Sequence, residues 1–158
     1  MHVKTPFLVL NVFLIFVMVV VAGCQGERAF RSVQLCMTGE SDVAKLKSYI
    51  TKVAREENME FIDSSARTHG ELERLKVAPP YRLIYFGLVG DDGLGLSVGN
   101  MGLSQFEVSI GFSKGSDARI AEEFADRVVR EIKRTWAVSE LPRDRGAFPM
   151  GCPGKQMK

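Results

Sequence analysis

Residues 81–113 read YRLIYFGLVGDDGLGLSVGNMGLSQFEVSIGFS, three apolar segments separated by two glycine-rich turns. This pattern predicts an antiparallel meander. The first segment, Tyr81–Val89, is apolar on both faces, which is typical of a strand that is covered on both sides. In Leu94–Gly99 leucine and valine alternate with glycine and serine, and Phe106–Ser113 also alternates. The stretch therefore predicts a sheet with one strongly apolar face.

Two amphipathic helices flank the meander. The first is predicted over residues 42–57, with Ser41 as its N-cap, because apolar residues recur there three and four positions apart. The second is predicted from its N-cap, Ser116, to Trp136 on the same grounds. Both helices can bury one apolar stripe against the sheet.

Two further strands are predicted before the meander. Residues 30–37 alternate between apolar and polar side chains, and residues 59–62 form a second, shorter segment. Because the first helix lies between them, these strands are expected to form a right-handed parallel pair. Residues 63–78 predict one or two helical turns.

The predicted fold is α+β. It is a two-layer sandwich in which a mixed, mostly antiparallel sheet of about five strands carries two amphipathic helices on one face. The domain is expected to span residues 30–138. Residues 139–158 form a tail rich in proline, glycine and arginine.

The first 23 residues have the order of a signal peptide, with a basic start at Met1–Lys4 and an apolar stretch at Phe7–Val21. The next residues, Val21-Ala22-Gly23-Cys24, resemble the lipobox of bacterial lipoproteins. The resemblance implies cleavage before Cys24, a diacylglycerol thioether on its thiol and a fatty acyl chain such as palmitate on its new amino terminus. An uncleaved signal anchor is the alternative, because the apolar stretch approaches the length of a membrane span.

A short tether would hold the domain close to its membrane. Residues 24–29 separate the predicted lipid from the first strand, and the five residues after Cys24 reach about 17 Å when extended. Gln25 differs from the aspartate that resembles an inner-membrane retention mark. The resemblance therefore favours the periplasmic face of the outer membrane.

Two cysteines remain once Cys24 carries lipid. Cys36 and Cys152 lie near the two ends of the mature chain, and an oxidising compartment predicts a disulfide between them. The alternative is that Cys36 is a buried thiol and Cys152 a free one. Their spacing does not match a zinc site, and no metal or other cofactor is expected.

The candidates for chemistry are weak. Asp63, Ser64, Ser65 and His69 are the residue types of a hydrolase triad, but the serines lack a Gly-x-Ser-x-Gly turn. The alternative is that Asp63 and the serines cap the following turn. No catalytic residue is predicted.

The glycine-rich run of residues 90–102 lies between strands, whereas a phosphate loop leads into a helix. Asp91 and Asp92 lack the alternating oxygen ligands of a calcium loop and are expected to form a hairpin turn. The net charge of +2 gives no sign of nucleic-acid binding.

A candidate binding surface remains on the face of the sheet opposite the helices. It is predicted because one strand presents only glycine and serine there, beside a doubly apolar strand. Its residues are Tyr81, Leu83, Tyr85, Gly95, Ser97 and Gly99, with Arg143 and Arg145 at the rim. Either the tail covers this face through Phe148 and Met150, or a partner binds there.

These features predict a lipid-anchored, periplasm-facing binding protein without catalytic activity. The most concrete form is an immunity-type inhibitor of an antibacterial toxin, which the chain resembles in size, anchor and disulfide but in no motif. The alternatives are an accessory or assembly lipoprotein of a cell-envelope complex and a hydrolase that uses Ser64 or Ser65 with His69.

Overall fold

The computed structural model describes residues 29–100, 104–142 and Cys152. These residues form an open antiparallel sheet with three helices, which confirms the α+β class. The strands are β1 (Arg31–Cys36), β2 (Glu60–Asp63), β3 (Tyr85–Val89), β4 (Leu94–Gly99), β5 (Glu107–Lys114) and β6 (Ala137–Glu140). The helices are α1 (Glu40–Glu56), α2 (Ser65–Arg74) and α3 (Ala118–Ile132).

The strand order is β2-β3-β4-β5-β1-β6, and every neighbouring pair is antiparallel. The predicted parallel pair of β1 and β2 is therefore wrong, because the whole meander lies between them. β1 pairs with β5 along its full length, from Arg31 opposite Phe112 to Cys36 opposite Glu107. β5 can therefore pair with all six residues of β1, whereas β2 has only four residues. β2 instead forms an edge of the sheet beside β3.

The sheet has six strands rather than about five, since β6 pairs with β1 at the other edge. β6 crosses the domain boundary that the sequence placed after residue 138. The strand has only four residues, of which Val138 packs against the core. Such a short segment has little alternation from which to predict a strand.

One hydrophobic core lies between the sheet and helices α1 and α3. The inner face of every strand contributes apolar side chains, and the helices contribute Leu46 and Ile50 from α1 and Phe124 and Val128 from α3. The ring of Phe124 meets that of Phe112 edge to face, with centroids 6.3 Å apart. Both amphipathic helices lie on one face, as predicted, whereas α2 has no buried residue.

The caps of both amphipathic helices differ from the sequence prediction. α1 begins after Gly39, not Ser41, and has no side-chain cap. α3 begins after Asp117, whose carboxylate accepts hydrogen bonds from the backbone N–H groups of Arg119 at 2.8 Å and Ile120 at 3.2 Å. A carboxylate satisfies two free N–H groups of the first turn at once, so Asp117 rather than Ser116 sets the start of α3.

The predicted disulfide between Cys36 and Cys152 is present, with a Cα–Cα distance of 5.7 Å. Cys36 and Gln34 are on the same face of the sheet, the one that faces away from the helices. We call this the outer face. Among the described residues, no helix is long and apolar enough to span a bilayer.

Candidate functional site

The outer face of the sheet is divided into a covered part and an open part. On β1 and β5 the polar side chains of Ser32, Gln34 and Glu107 are at most 8% exposed. Cys152 lies over them: its backbone N–H donates to Glu107 Oε1 at 3.4 Å, and its Sγ is 3.9 Å from Gln34 Nε2. The disulfide therefore holds Cys152 against the β1–β5 part of this face.

The open part lies on β2 and β3. Ile62, Tyr85 and Val89 point to the outer face and are 42%, 41% and 38% exposed. We call these three residues the apolar patch. They line a shallow cavity of about 320 Å³ whose floor includes Gly87 and Ser97. Contiguous exposed apolar side chains are one mark of an interaction surface.

Gly87, in the floor of this cavity, and Gly95, on the neighbouring strand, have no room for a side chain. A Cβ on Gly87 would overlap the carbonyl oxygen of Leu96, and a Cβ on Gly95 would overlap that of Leu88. Both clashes are with backbone of the neighbouring strand, which cannot move without breaking the ladder between β3 and β4. The close approach of the two strands therefore requires glycine at both positions.

The third glycine on this face has another role. Gly99 lies opposite Tyr85 in the ladder, and a Cβ on Gly99 would be 3.6 Å from the Tyr85 ring. The ring therefore lies against the bare backbone of Gly99, so the tyrosine is positioned by its neighbouring strand. Tyr85 is nevertheless 41% exposed.

Charged groups stand at the two ends of the apolar patch. Arg67 of α2 lines the cavity and donates to Ser64 Oγ at 3.1 Å. Glu60 precedes Ile62 by two positions on β2, so it is exposed on the same face. Neither Arg67 nor Glu60 takes part in an ion pair within the described part of the chain.

The structure brings four of the sequence-predicted surface residues together. Tyr85, Gly95, Ser97 and Gly99 all point to the outer face. Leu83, in contrast, is 2% exposed and lines cavities on the side of α1 and α2. Tyr81 also precedes β3, and Arg143 and Arg145 lie outside the described residues.

Asn100 explains why residues 81–84 do not continue the strand. This side chain is 1% exposed; its Oδ1 accepts from the Ile84 backbone N–H at 2.8 Å and its Nδ2 donates to the Arg82 carbonyl at 3.0 Å. The Tyr81 hydroxyl donates to the Asn100 carbonyl at 3.2 Å. The amide side chain thus replaces a β-ladder partner, and this segment forms an irregular connection instead of a strand.

Sequence reasoning missed two of the three patch residues. Val89 could have been found, because Tyr85, Gly87 and Val89 are two residues apart on β3 and therefore point to the same face. Ile62 could not, because its inclusion depends on β2 pairing beside β3. A pairing between segments that are distant in sequence leaves no local signal.

The suspected hydrolase residues have structural roles. Ser65 Oγ donates to the Tyr85 carbonyl at 3.2 Å and accepts from the Tyr85 backbone N–H at 2.9 Å. Asp63 binds Lys47 and accepts from the Ser65 backbone N–H at 3.0 Å. Ser64 is 8% exposed and accepts from Arg67. The Ser65 hydroxyl therefore links the start of α2 to the backbone of β3.

His69 does not join these serines in any hydrogen bond of the described residues. Its Nε2 lies 3.4 Å from Glu73 Oε1, one turn further along α2. It lines a cavity of about 560 Å³ between α2 and the segment of Arg82 and Leu83. Ser64 and Ser65 instead hydrogen-bond to Arg67 and to the Tyr85 backbone.

Asp92 fixes the hairpin between β3 and β4. Its carboxylate accepts from the Leu94 backbone N–H at 3.0 Å and from Ser116 Oγ at 3.1 Å. The hydrogen bond from Leu94, followed by that from Ser116, lowers the pKa of Asp92 below its usual value of 3.8 despite some desolvation. Within the described residues, no group of three or more His, Cys, Asp or Glu side chains is placed to hold a metal ion.

Comparison with models of known protein families, with curated proteins and with solved structures finds no match. The predicted lipidation site, Cys24, and the predicted tail anchors, Phe148 and Met150, lie outside the described residues. Ile62, Tyr85 and Val89 form the candidate binding surface within the described residues.

Proposed function

We propose that this protein is a lipid-anchored, periplasm-facing binding protein without catalytic activity, and that it is an immunity-type inhibitor of an antibacterial toxin. The lipid would be attached to Cys24. The binding surface would be the apolar patch of Ile62, Tyr85 and Val89. The partner would be a protein, since a shallow open cavity of about 320 Å³ suits a protruding side chain better than an enclosed small molecule.

The apolar patch is the observation that carries this proposal. Its three side chains project from two paired strands, whose backbone is held by the hydrogen bonds between them. Binding would therefore cost little backbone entropy. Tyrosine is enriched among the residues that anchor protein–protein contacts, and Tyr85 belongs to this patch. The neighbouring glycines leave room for a partner side chain to reach the sheet backbone.

The engagement of the serine hydroxyls supports a non-catalytic role. Ser65 uses both its donor and its acceptor on Tyr85, and Ser64 is buried against Arg67. An inhibitor needs a rigid complementary surface and no activated nucleophile. The same contacts disfavour the hydrolase hypothesis for Ser64 or Ser65 with His69.

The entry of the chain into the domain supports a role close to a membrane. The Phe30 backbone N–H donates to the Phe112 carbonyl at 2.9 Å, and a Cβ on Gly111 would meet that of Ala29 at 3.1 Å. Ala29, five residues after Cys24 in the sequence, therefore already packs against β5. A lipid on Cys24 would keep the domain within about 17 Å of the bilayer, where a toxin arriving at the membrane would meet it.

The test uses the full chain, solubilised from membranes in mild detergent, to capture proteins from native envelope and secreted fractions. Tyr85→Glu is compared with Ile120→Glu. Ile120 is a matched control because it is an apolar residue of similar exposure, 45%, on α3. An inhibitor should retain one stoichiometric secreted toxin in the wild type and in Ile120→Glu, and lose it in Tyr85→Glu.

Two other results would contradict the proposal. A resident envelope complex captured through Tyr85 would replace the inhibitor by an accessory or assembly lipoprotein. Equal capture by Tyr85→Glu and the wild type would exclude the apolar patch as the binding surface.

A further inference from the structure

Strand β2 contributes Ile62 to the apolar patch and is an edge of the described sheet. We propose that the patch recognises an extended strand of its partner, which pairs with β2 in antiparallel orientation. The partner strand carries an acidic, an apolar and a basic residue at alternate positions. This inference rests on the proposed function and specifies how that same surface recognises a protein.

The backbone of β2 has the groups that such pairing needs. The Ser64 backbone N–H donates to the Tyr85 carbonyl at 2.9 Å, and the pairs along this ladder are Ile62 with Gly87 and Glu60 with Val89. Hydrogen-bonded pairs alternate along an antiparallel ladder. The backbone N–H and C=O groups of Phe61 and Asp63 therefore point away from β3, toward the edge.

The side chains of β2 determine what would lie on the outer face of an added strand. Ile62 is 42% exposed, and the residue that pairs with it would extend the apolar patch by one row. The inner face of β2 is already occupied, because Phe61 packs against the Phe86 ring with centroids 5.9 Å apart and Asp63 binds Lys47. Recognition of side chains would therefore take place on the outer face.

The charges at the ends of the patch set the order of the side chains on an antiparallel added strand. Glu60 lies at the beginning of β2 and Arg67 beyond its end, with Ile62 between them. An antiparallel partner strand would first pass Arg67, then Ile62 and finally Glu60. From its amino terminus it would carry acid, apolar residue and base, each two positions apart.

Synthetic heptapeptides test this pattern without knowledge of the natural partner. The matching peptide is acetyl-Thr-Glu-Thr-Val-Thr-Lys-Thr-amide, and its control exchanges glutamate and lysine. Amide chemical shifts of the full chain in detergent micelles are followed up to millimolar peptide. We expect saturable shifts at Phe61, Ile62 and Asp63, with the matching peptide binding about three- to tenfold more tightly than the exchanged one.

Backbone methylation separates strand pairing from other modes of contact. The third and fifth residues of the peptide would bond to β2, so N-methylation at both should abolish the shifts. N-methylation of the fourth residue, whose N–H would point away from β2, should leave them unchanged. Equal loss, or no loss, from the two modifications would overturn the proposal.

A charge exchange in the protein tests this order. The double variant Glu60→Lys with Arg67→Glu should prefer the exchanged peptide by a similar factor. An unchanged preference, equal binding of both peptides to the wild type, or no binding of either would each overturn the proposal. If the peptides fail while Tyr85→Glu still abolishes capture of a toxin, strand pairing is wrong and the proposed function stands.

Discussion

Cys36 and Cys152 are joined across 116 residues, and their disulfide lies on the face of the sheet opposite the helices. Cys36 belongs to β1, which lies between β5 and the edge strand β6, while Cys152 comes after the last described strand in the sequence. The bond therefore attaches Cys152 to an interior strand of the sheet. Cys152 contacts Gln34 and Glu107, whereas the apolar patch lies at the other edge, on β2 and β3.

Removal of this disulfide should lower stability substantially. Cys152→Ser is expected to decrease the free energy of unfolding by up to about 4–5 kcal/mol, because the unfolded chain loses a closed loop of more than 100 residues. Urea denaturation with and without a reducing agent measures the effect. The reducing agent should destabilise the wild type and leave Cys152→Ser unchanged; equal stability of the oxidised and reduced wild type would contradict this role.

The glycines beneath the patch should not tolerate a side chain. Gly87→Ala and Gly95→Ala are each expected to cost about 1–3 kcal/mol, because the new methyl group would overlap a backbone carbonyl of the neighbouring strand. Gly70→Ala is the control: it lies within α2 with nothing within 4 Å of an added Cβ. That substitution should stabilise the protein by up to about 1 kcal/mol. Thermal unfolding of the three variants distinguishes the two environments.

The decrease in the free energy of unfolding at acidic pH should depend on Asp92. Hydrogen bonds from Leu94 and Ser116 lower its pKa in the folded state, so the contribution is full above the usual value of 3.8 and is lost as the pH falls through the lowered pKa. Asp92→Asn should therefore flatten the decrease in stability below about pH 4. Asp91→Asn is the control, since the Asp91 side chain forms no hydrogen bond or ion pair within the described residues. Urea titrations between about pH 2 and pH 6 measure both, and an identical decrease at acidic pH would contradict the prediction.

Membrane attachment should depend on Cys24. Cys24→Ser is expected to block incorporation of labelled palmitate and to prevent cleavage after Gly23. Mass spectrometry of the wild-type amino terminus should show a lipidated cysteine. Cys152→Ser should keep both the label and the cleavage. Retention of label in Cys24→Ser would exclude the lipoprotein assignment.

Much of the fold followed from local patterns. The strict alternation of β4 and β5 predicted one apolar face, and the stripe of Phe124, Val128 and Ile132 predicted α3 and its packing. These signals are strong because each is a regular spacing of apolar residues within one short segment of the sequence. The disulfide was predicted from the two cysteines that remain if Cys24 carries lipid, and it is present.

The candidate site was predicted only in part. Tyr85, Gly95, Ser97 and Gly99 were placed on one face correctly, because alternation along β3 and β4 determines it. Leu83 was included in the candidate surface because Tyr81–Val89 was predicted as one strand. In the structure, the Asn100 side chain holds residues 81–84 outside that strand. A hydrogen bond from a distant side chain is not visible in a local pattern.

By itself, the sequence determined the class of the fold, the apolar face of the sheet, the two amphipathic helices and the pairing of the cysteines. Tertiary structure alone decided that β1 pairs with β5 and β6 and that β2 becomes an edge beside β3. It thereby decided that Ile62 joins Tyr85 and Val89 in one exposed patch. Side-chain periodicity is a property of each strand alone, whereas strand order depends on which long-range pairings bury the most apolar surface together.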